Sequence, residues 1–219
     1  DMVDDKDLDN IGLSWSGYAN YKDMWTVDVY DVFNDLYGVE KNNISKNYID
    51  NSVKLDQDKR DNIIGVQSQI WSETIRNEEI LDYMFMPNII VFSQKAWSHD
   101  NSWMDITNND IKREKIDNEW NKFANNVGQR VLPIVDNIFG GLSYDLPKPG
   151  GRVINDTLYA NTVFPGLNIK YTLDGSIPKE SSENFKSPIK INDNDIVNLR
   201  LFNNKGRGGN TIIVENKNE

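Results

Sequence analysis

Trp71-Ser72-Glu73 has the residue types for holding a sugar. A tryptophan offers a flat apolar wall on which a pyranose ring can stack. A glutamate two residues on points the same way in an extended chain and can accept paired hydrogen bonds from vicinal hydroxyls. The same residues also read as a core tryptophan followed by the acidic start of a helix, where the dipole favours carboxylates; position alone leans to that second reading. Trp15, set among the small residues of Gly12-Leu13-Ser14-Trp15-Ser16-Gly17, is either a ligand platform or a plug over a core. Trp25, Trp97, Trp103 and Trp120 read as packing residues, Trp97 and Trp120 on apolar helix faces. Carboxylates are plentiful enough for acid–base chemistry, yet nothing in the order of Asp and Glu singles out a pair.

Other chemistries are disfavoured by composition. The single histidine, His99, rules out a multi-histidine zinc site and argues against a Ser-His-Asp triad; it follows a helix end and reads as structural. With no cysteine there is no thiolate nucleophile, thiolate metal site or disulfide framework. The sequence asks for no metal or other cofactor. A net charge of −10 disfavours nucleic acid, which demands clustered Lys and Arg; Lys112, Arg113 and Lys115 read as the solvated face of a helix. No run approaches the roughly 18 apolar residues of a membrane span. A soluble globular protein is expected, with 38% hydrophobic residues to build its core. Because the chain starts at Asp1 with no basic, apolar leader, it is expected to be a mature product, a trimmed chain or an internal fragment.

The elements that must position the tripeptide come in two kinds. Gly140-Gly141, Pro147 and Pro149-Gly150-Gly151 form a linker-like cluster of turn formers, which predicts domains over 1–146 and 147–219. Before the cluster, Val29, Val32, Phe33 and Leu36 have helical spacing over Val27 to Leu36, and residues 39–60 read as an Asn-rich loop with one helical turn. Ile63 to Trp71 is the best strand of this half, with apolar and polar faces suited to a barrel wall. Asn77, Glu78 and Glu79 predict a cap and acidic first turn for a helix that Pro87 must break or restart. A further helix is expected from Asn109 to about Asn126, with Ile116, Trp120 and Phe123 inside. Strand followed by helix is what the closing unit of an α/β barrel looks like, and residues at the C-terminal ends of barrel strands face the active site. After the cluster, six short β runs divided by turn signals predict a small immunoglobulin-like antiparallel sandwich, with Asp174-Gly175 the strongest hairpin signal. At about 70 residues this unit is expected to dock on its neighbour.

The run Ile64-Gly65-Val66-Gln67-Ser68-Gln69-Ile70-Trp71-Ser72-Glu73 resembles the last barrel strand of glycoside hydrolase family 20, the β-N-acetylhexosaminidases and chitobiases. Asn77 to Pro87 and Ser93 to Trp97-Ser98 resemble that family's next helix, with its proline and terminal tryptophan. Pro165-Gly166 with Ile169-Lys170-Tyr171-Thr172-Leu173-Asp174-Gly175-Ser176-Ile177-Pro178 is similar to the C-terminal β-sandwich of bacterial chitobiases.

The resemblance implies α/β plus all-β architecture: the C-terminal strands and helices of a (β/α)8 TIM-type barrel, then the sandwich. It implies that Trp71 walls the pocket for a terminal N-acetylglucosamine and that Glu73 bonds the outer sugar hydroxyls, chiefly that at carbon 4. Trp15 would line the substrate cleft. Asp1 would be the aspartate of a Tyr-x-Asp motif that bonds a sugar hydroxyl. The mechanism implied is substrate-assisted: the acetamido oxygen attacks the anomeric carbon, a Glu protonates the leaving group and a neighbouring Asp orients the acetamido group. That Asp-Glu pair belongs to an earlier barrel strand, and no Asp-Glu dipeptide occurs in this sequence, so no catalytic residue is assigned here. The implied substrate is an N-acetylhexosamine oligosaccharide, and the implied partner is the N-terminal barrel portion or a second copy. A periplasmic or extracellular location is implied for the bacterial protein. The alternative is a non-catalytic carbohydrate-binding or interaction module.

Overall fold

The computed structural model describes residues 20–31, 46–98 and 102–215, and the chain divides into two compact units, Asp1–Trp120 and Asn121–Glu219. Trp15, Asp1 and His99 lie outside the described residues.

The first unit is helical where it is described. Asn20 caps the helix Tyr21–Thr26, its side-chain oxygen accepting from the Asp23 amide at 2.8 Å, which satisfies one of the orphan donors of a helix start. The helix expected from Val27 does not begin there. Asp28 Oδ1 accepts from the amides of Tyr30 (2.9 Å) and Asp31 (3.2 Å), an Asx turn competing for donors that a helix would use; residues 32–36 lie outside the described residues. The Asn-rich stretch holds two short pieces, Lys46–Asn51 and the 3-10 turn Gln57–Asn62. Asn77 caps the next helix as expected, accepting from the Ile80 amide at 2.9 Å, with Glu78 and Glu79 in the first turn. Pro87 divides the helical stretch into Glu78–Phe85 and Asn88–Trp97.

The core of this unit is aromatic. Tyr21–Thr26 packs against Asn88–Trp97, and the Trp25 ring lies 4.6 Å from that of Trp103 and 5.6 Å, edge-on, from that of Trp120. Trp120 and Ile116 are buried on the helix Asn109–Asn126, whose bounds match the expectation. Two side chains depart from it. Lys112, expected on a solvated face, is only 3% exposed; it stands four residues before Ile116 and eight before Trp120, so it shares their stripe and buries its aliphatic stem. Trp97, expected to pack, is 88% exposed. At about 100° per residue it is turned roughly 120° from Val91, the buried residue of its helix.

Residues 63–72 are not a strand. A barrel strand exists through ladders to its neighbours, and among the described residues of this unit there is no strand to pair with. Ile64 is 99% exposed in consequence.

The second unit is built on two antiparallel sheets. A π turn, Val127–Val131, and a short helix, Leu132–Val135, lead into it. Residues 141–149 carry no helix or strand, yet Tyr144, Leu146, Pro147 and Pro149 are buried. The strands are β1 (Gly150–Ile154), β2 (Thr157–Asn161), β3 (Asn168–Thr172), β4 (Glu183–Asn184), β5 (Ile189–Lys190), β6 (Val197–Phe202) and β7 (Gly208–Val214). One sheet has the order β1-β2-β5 and the other β4-β3-β6-β7. Leu158 and Ile191, at the first sheet, share a core with Val197, Leu199 and Val214 of the second.

The tight hairpin lies where Ile154 pairs with Thr157, across Asn155 and Asp156 at φ 47° and 54°. Two successive left-handed residues match the twist of the flanking strands. Asp174-Gly175 makes a turn instead of a hairpin. Asp174 Oδ1 accepts from the Ser176 amide (3.0 Å) and hydroxyl (2.6 Å), and Asn198 Nδ2 donates to the Gly175 carbonyl at 2.9 Å. These local bonds hold the chain in the turn, and the next strand arrives only at Glu183.

Candidate functional site

Trp71 and Glu73 stand at and just past the end of the run 63–72, which carries no helix or strand, where a turn closes from the Ile75 amide to the Ser72 carbonyl at 3.1 Å. Thr74, inside that turn, is buried and anchors it. Two residues later Asn77 caps the helix. The tripeptide is therefore fixed at its C-terminal side by a closed turn and a capped helix. Trp71 is 70% exposed and Glu73 is exposed beside it. The alternative in which Trp71 fills a core does not hold. An indole left to solvent with a carboxylate two residues on has the parts for ring stacking and hydroxyl binding. The structure brings these two candidates together by chain proximity; Trp15 and Asp1 fall outside the described residues.

The second unit carries a polar constellation that sequence spacing does not disclose. A cleft of about 450 Å³ is lined by Asp136, Asn137, Ser143, Asn203, Lys205 and Arg207, with the Gly140-Gly141 backbone. At its base Asp136 is buried and accepts from the Tyr144 hydroxyl at 3.0 Å and from Asn203 Nδ2 at 2.6 Å, both on Oδ1. Arg207 Nη2 donates to the Tyr144 carbonyl at 2.7 Å, and its guanidinium lies 4.5 Å over the Tyr144 ring. Burial first, then the charge and hydrogen bond of Asp136, push the Tyr144 phenol far above its usual range, so it remains a donor. Asn203 Oδ1 accepts from the amides of Lys205 (3.1 Å) and Arg207 (2.8 Å) and shapes the loop that carries both cations. Only the turn formers around Lys205 to Gly209 hint at this loop in the sequence.

Among the described residues, no group of three or more His, Cys, Asp or Glu is placed to hold a metal ion, and no helix is long and apolar enough to cross a membrane.

Two segments match known families. Residues 1–100 match the model of the glycosyl hydrolase family 20 catalytic domain, and residues 132–211 match that of the chitobiase/beta-hexosaminidase C-terminal domain. Among curated relatives, the chain is 35% identical over 120 residues to an N,N'-diacetylchitobiase of Vibrio harveyi, covering 51% of this chain and 13% of that protein. It is 28% identical over 174 residues to a beta-hexosaminidase of Vibrio vulnificus, covering 72% of this chain and 20% of that one. The matched stretches thus span a fifth or less of these relatives.

Proposed function

We propose, from the matches of residues 1–100 to the glycosyl hydrolase family 20 catalytic domain and of residues 132–211 to the chitobiase/beta-hexosaminidase C-terminal domain, that the chain is part of a β-N-acetylhexosaminidase of chitobiase type and forms part of its sugar pocket. The observation that carries this is the solvent-presented Trp71 beside Glu73, inside the segment matched by the catalytic domain. Trp71 stacks on the terminal N-acetylhexosamine, and Glu73 accepts hydrogen bonds from its outer hydroxyls. In the same reading Trp15 lines the substrate cleft and Asp1 bonds a sugar hydroxyl. The substrate is an N-acetylhexosamine glycoside from chitin oligosaccharides or glycans, cleaved with retention by its own acetamido oxygen. The Asp-Glu acid pair comes from barrel strands outside this sequence. In this reading residues 1–146 are the closing portion of a (β/α)8 barrel, residues 147–219 are an immunoglobulin-like sandwich, and the enzyme is periplasmic or extracellular.

Exposed apolar side chains support the need for further barrel strands. Val53, Ile64, Trp71 and Trp97 are each at least 70% exposed, apolar area that neighbouring barrel elements would bury favourably. Residues 63–72, in neither helix nor strand and without ladder partners, keep backbone groups that a neighbouring barrel strand would pair.

The test is Glu73→Gln in the enzyme reconstituted with its N-terminal barrel portion. Hydrogen bonds to a charged acceptor contribute about 1.5–3 kcal/mol, so kcat/KM on a nitrophenyl N-acetylglucosaminide should fall roughly 10- to 100-fold. An unchanged kcat/KM would remove Glu73 from the pocket.

A further inference from the structure

We propose that Thr74 is a positioning residue for Glu73: its buried side chain holds the turn that sets where the carboxylate stands, and sugar affinity depends on it. The inference rests on the pocket role proposed for Glu73. Glu73 and Thr74 are the two central residues of the turn that the Ile75 amide closes on the Ser72 carbonyl at 3.1 Å. Thr74 is 9% exposed and is the one buried residue between positions 50 and 86. Trp71, Ser72 and Glu73 are all exposed, so none of the three is held by burial of its own.

A turn closed by a single hydrogen bond is weakly held at a surface. Water competes for both donor and acceptor, so the net gain from the bond is small, and the entropy of the open backbone opposes it. Something besides the bond has to keep this turn shut, and the buried Thr74 side chain is what the segment offers. Central turn positions usually go to Gly, Asn, Asp or Ser, whose own backbone preferences suit them. Threonine brings instead a branched side chain that is stiff about χ1, which serves a turn through packing. Glu73 directly precedes Thr74, so the dihedrals that bury the one also aim the Cα–Cβ bond of the other. In an opened turn the carboxylate spreads over many positions, and binding a sugar hydroxyl must then offset that lost freedom. The outer hydroxyls are present before and during the reaction, so a misplaced Glu73 raises KM more than it lowers kcat.

The test is Thr74→Ala in the enzyme reconstituted with its N-terminal barrel portion, assayed on a nitrophenyl N-acetylglucosaminide with and without Glu73→Gln. Thr74→Ala alone should raise KM roughly three- to tenfold, a part of what Glu73 contributes, with kcat changed by less than about twofold. Thr74→Val keeps the branched side chain in its buried place and should recover most of that loss. When Glu73→Gln is already present, adding Thr74→Ala should change KM by less than about twofold, because the two residues act through one interaction. An equal loss in both backgrounds overturns the proposal, since a general weakening of the fold does not need Glu73. So does a loss that Thr74→Val fails to recover, or an unchanged KM for Thr74→Ala beside a Glu73→Gln effect; the pocket role of Glu73 survives each of these results. A neutral Glu73→Gln rejects that pocket role instead, and the role of Thr74 falls with it.

Discussion

Trp103→Ala should destabilise the first unit by about 3–5 kcal/mol, the usual range for removing a fully buried large aromatic. Trp103 is 2% exposed and lies against Trp25 at 4.6 Å, tilted 32°, and Trp25 in turn meets Trp120 edge-on. Removing the Trp103 ring loses its own burial and leaves Trp25 facing a void that the short helix Tyr21–Thr26 cannot close. The melting temperature should drop by roughly 10–20 °C, measured by calorimetry or circular dichroism. Trp97→Ala is the control: at 88% exposure the same deletion should shift stability by less than about 0.5 kcal/mol. Equal effects from the two substitutions would mean that the aromatic cluster is not the core of this unit.

Gly128→Ala should destabilise the second unit by about 2–3 kcal/mol, or roughly 10–20 °C in melting temperature. An added Cβ would lie 2.2 Å from the Pro165 carbonyl oxygen and 2.8 Å from the carbonyl carbon of Phe164. These are backbone atoms, so no side chain can swing aside. The contact is reciprocal: Gly166, at φ 122°, approaches the Gly128 carbonyl so closely that its own Cβ would stand 2.6 Å from that oxygen. The π turn at Val127–Val131 and the segment entering β3 are thus held at backbone contact, and any side chain at either glycine forces them apart. Gly65→Ala, where an added Cβ meets nothing within 4 Å, should be neutral. A Gly128→Ala protein as stable as the parent would show that this close approach does not persist in solution.

How legible these features are in the sequence depends on whether their causes are local. The strands of the second unit can be placed because alternation and turn residues act within a few positions; β4, two residues long, has no period to read. Asn77 and Pro87 set helix boundaries through their own backbone chemistry and behave as expected. The run Ile63 to Trp71 has the pattern of a barrel wall, but pattern makes a strand only when neighbours supply a ladder. Trp97 is apolar and so reads as buried, whereas its angle on the helix decides otherwise. Lys112 is misplaced for the converse reason, since its stripe buries it whatever its charge. For the candidate sites, Trp71 and Glu73 are visible because they are two residues apart. Asp136 and Asn203 are 67 residues apart, and no local spacing can disclose that they share a hydrogen bond.

The most direct measurement is nitrophenol release from a nitrophenyl N-acetylglucosaminide by this chain, alone and after reconstitution with the N-terminal barrel portion of the family. The chain alone should be inactive, because its sequence contains no Asp-Glu pair. Reconstitution should restore hydrolysis. Hydrolysis by the chain alone, or none after a reconstitution in which the two parts demonstrably associate, would contradict the role proposed for it as the pocket-forming portion of a β-N-acetylhexosaminidase.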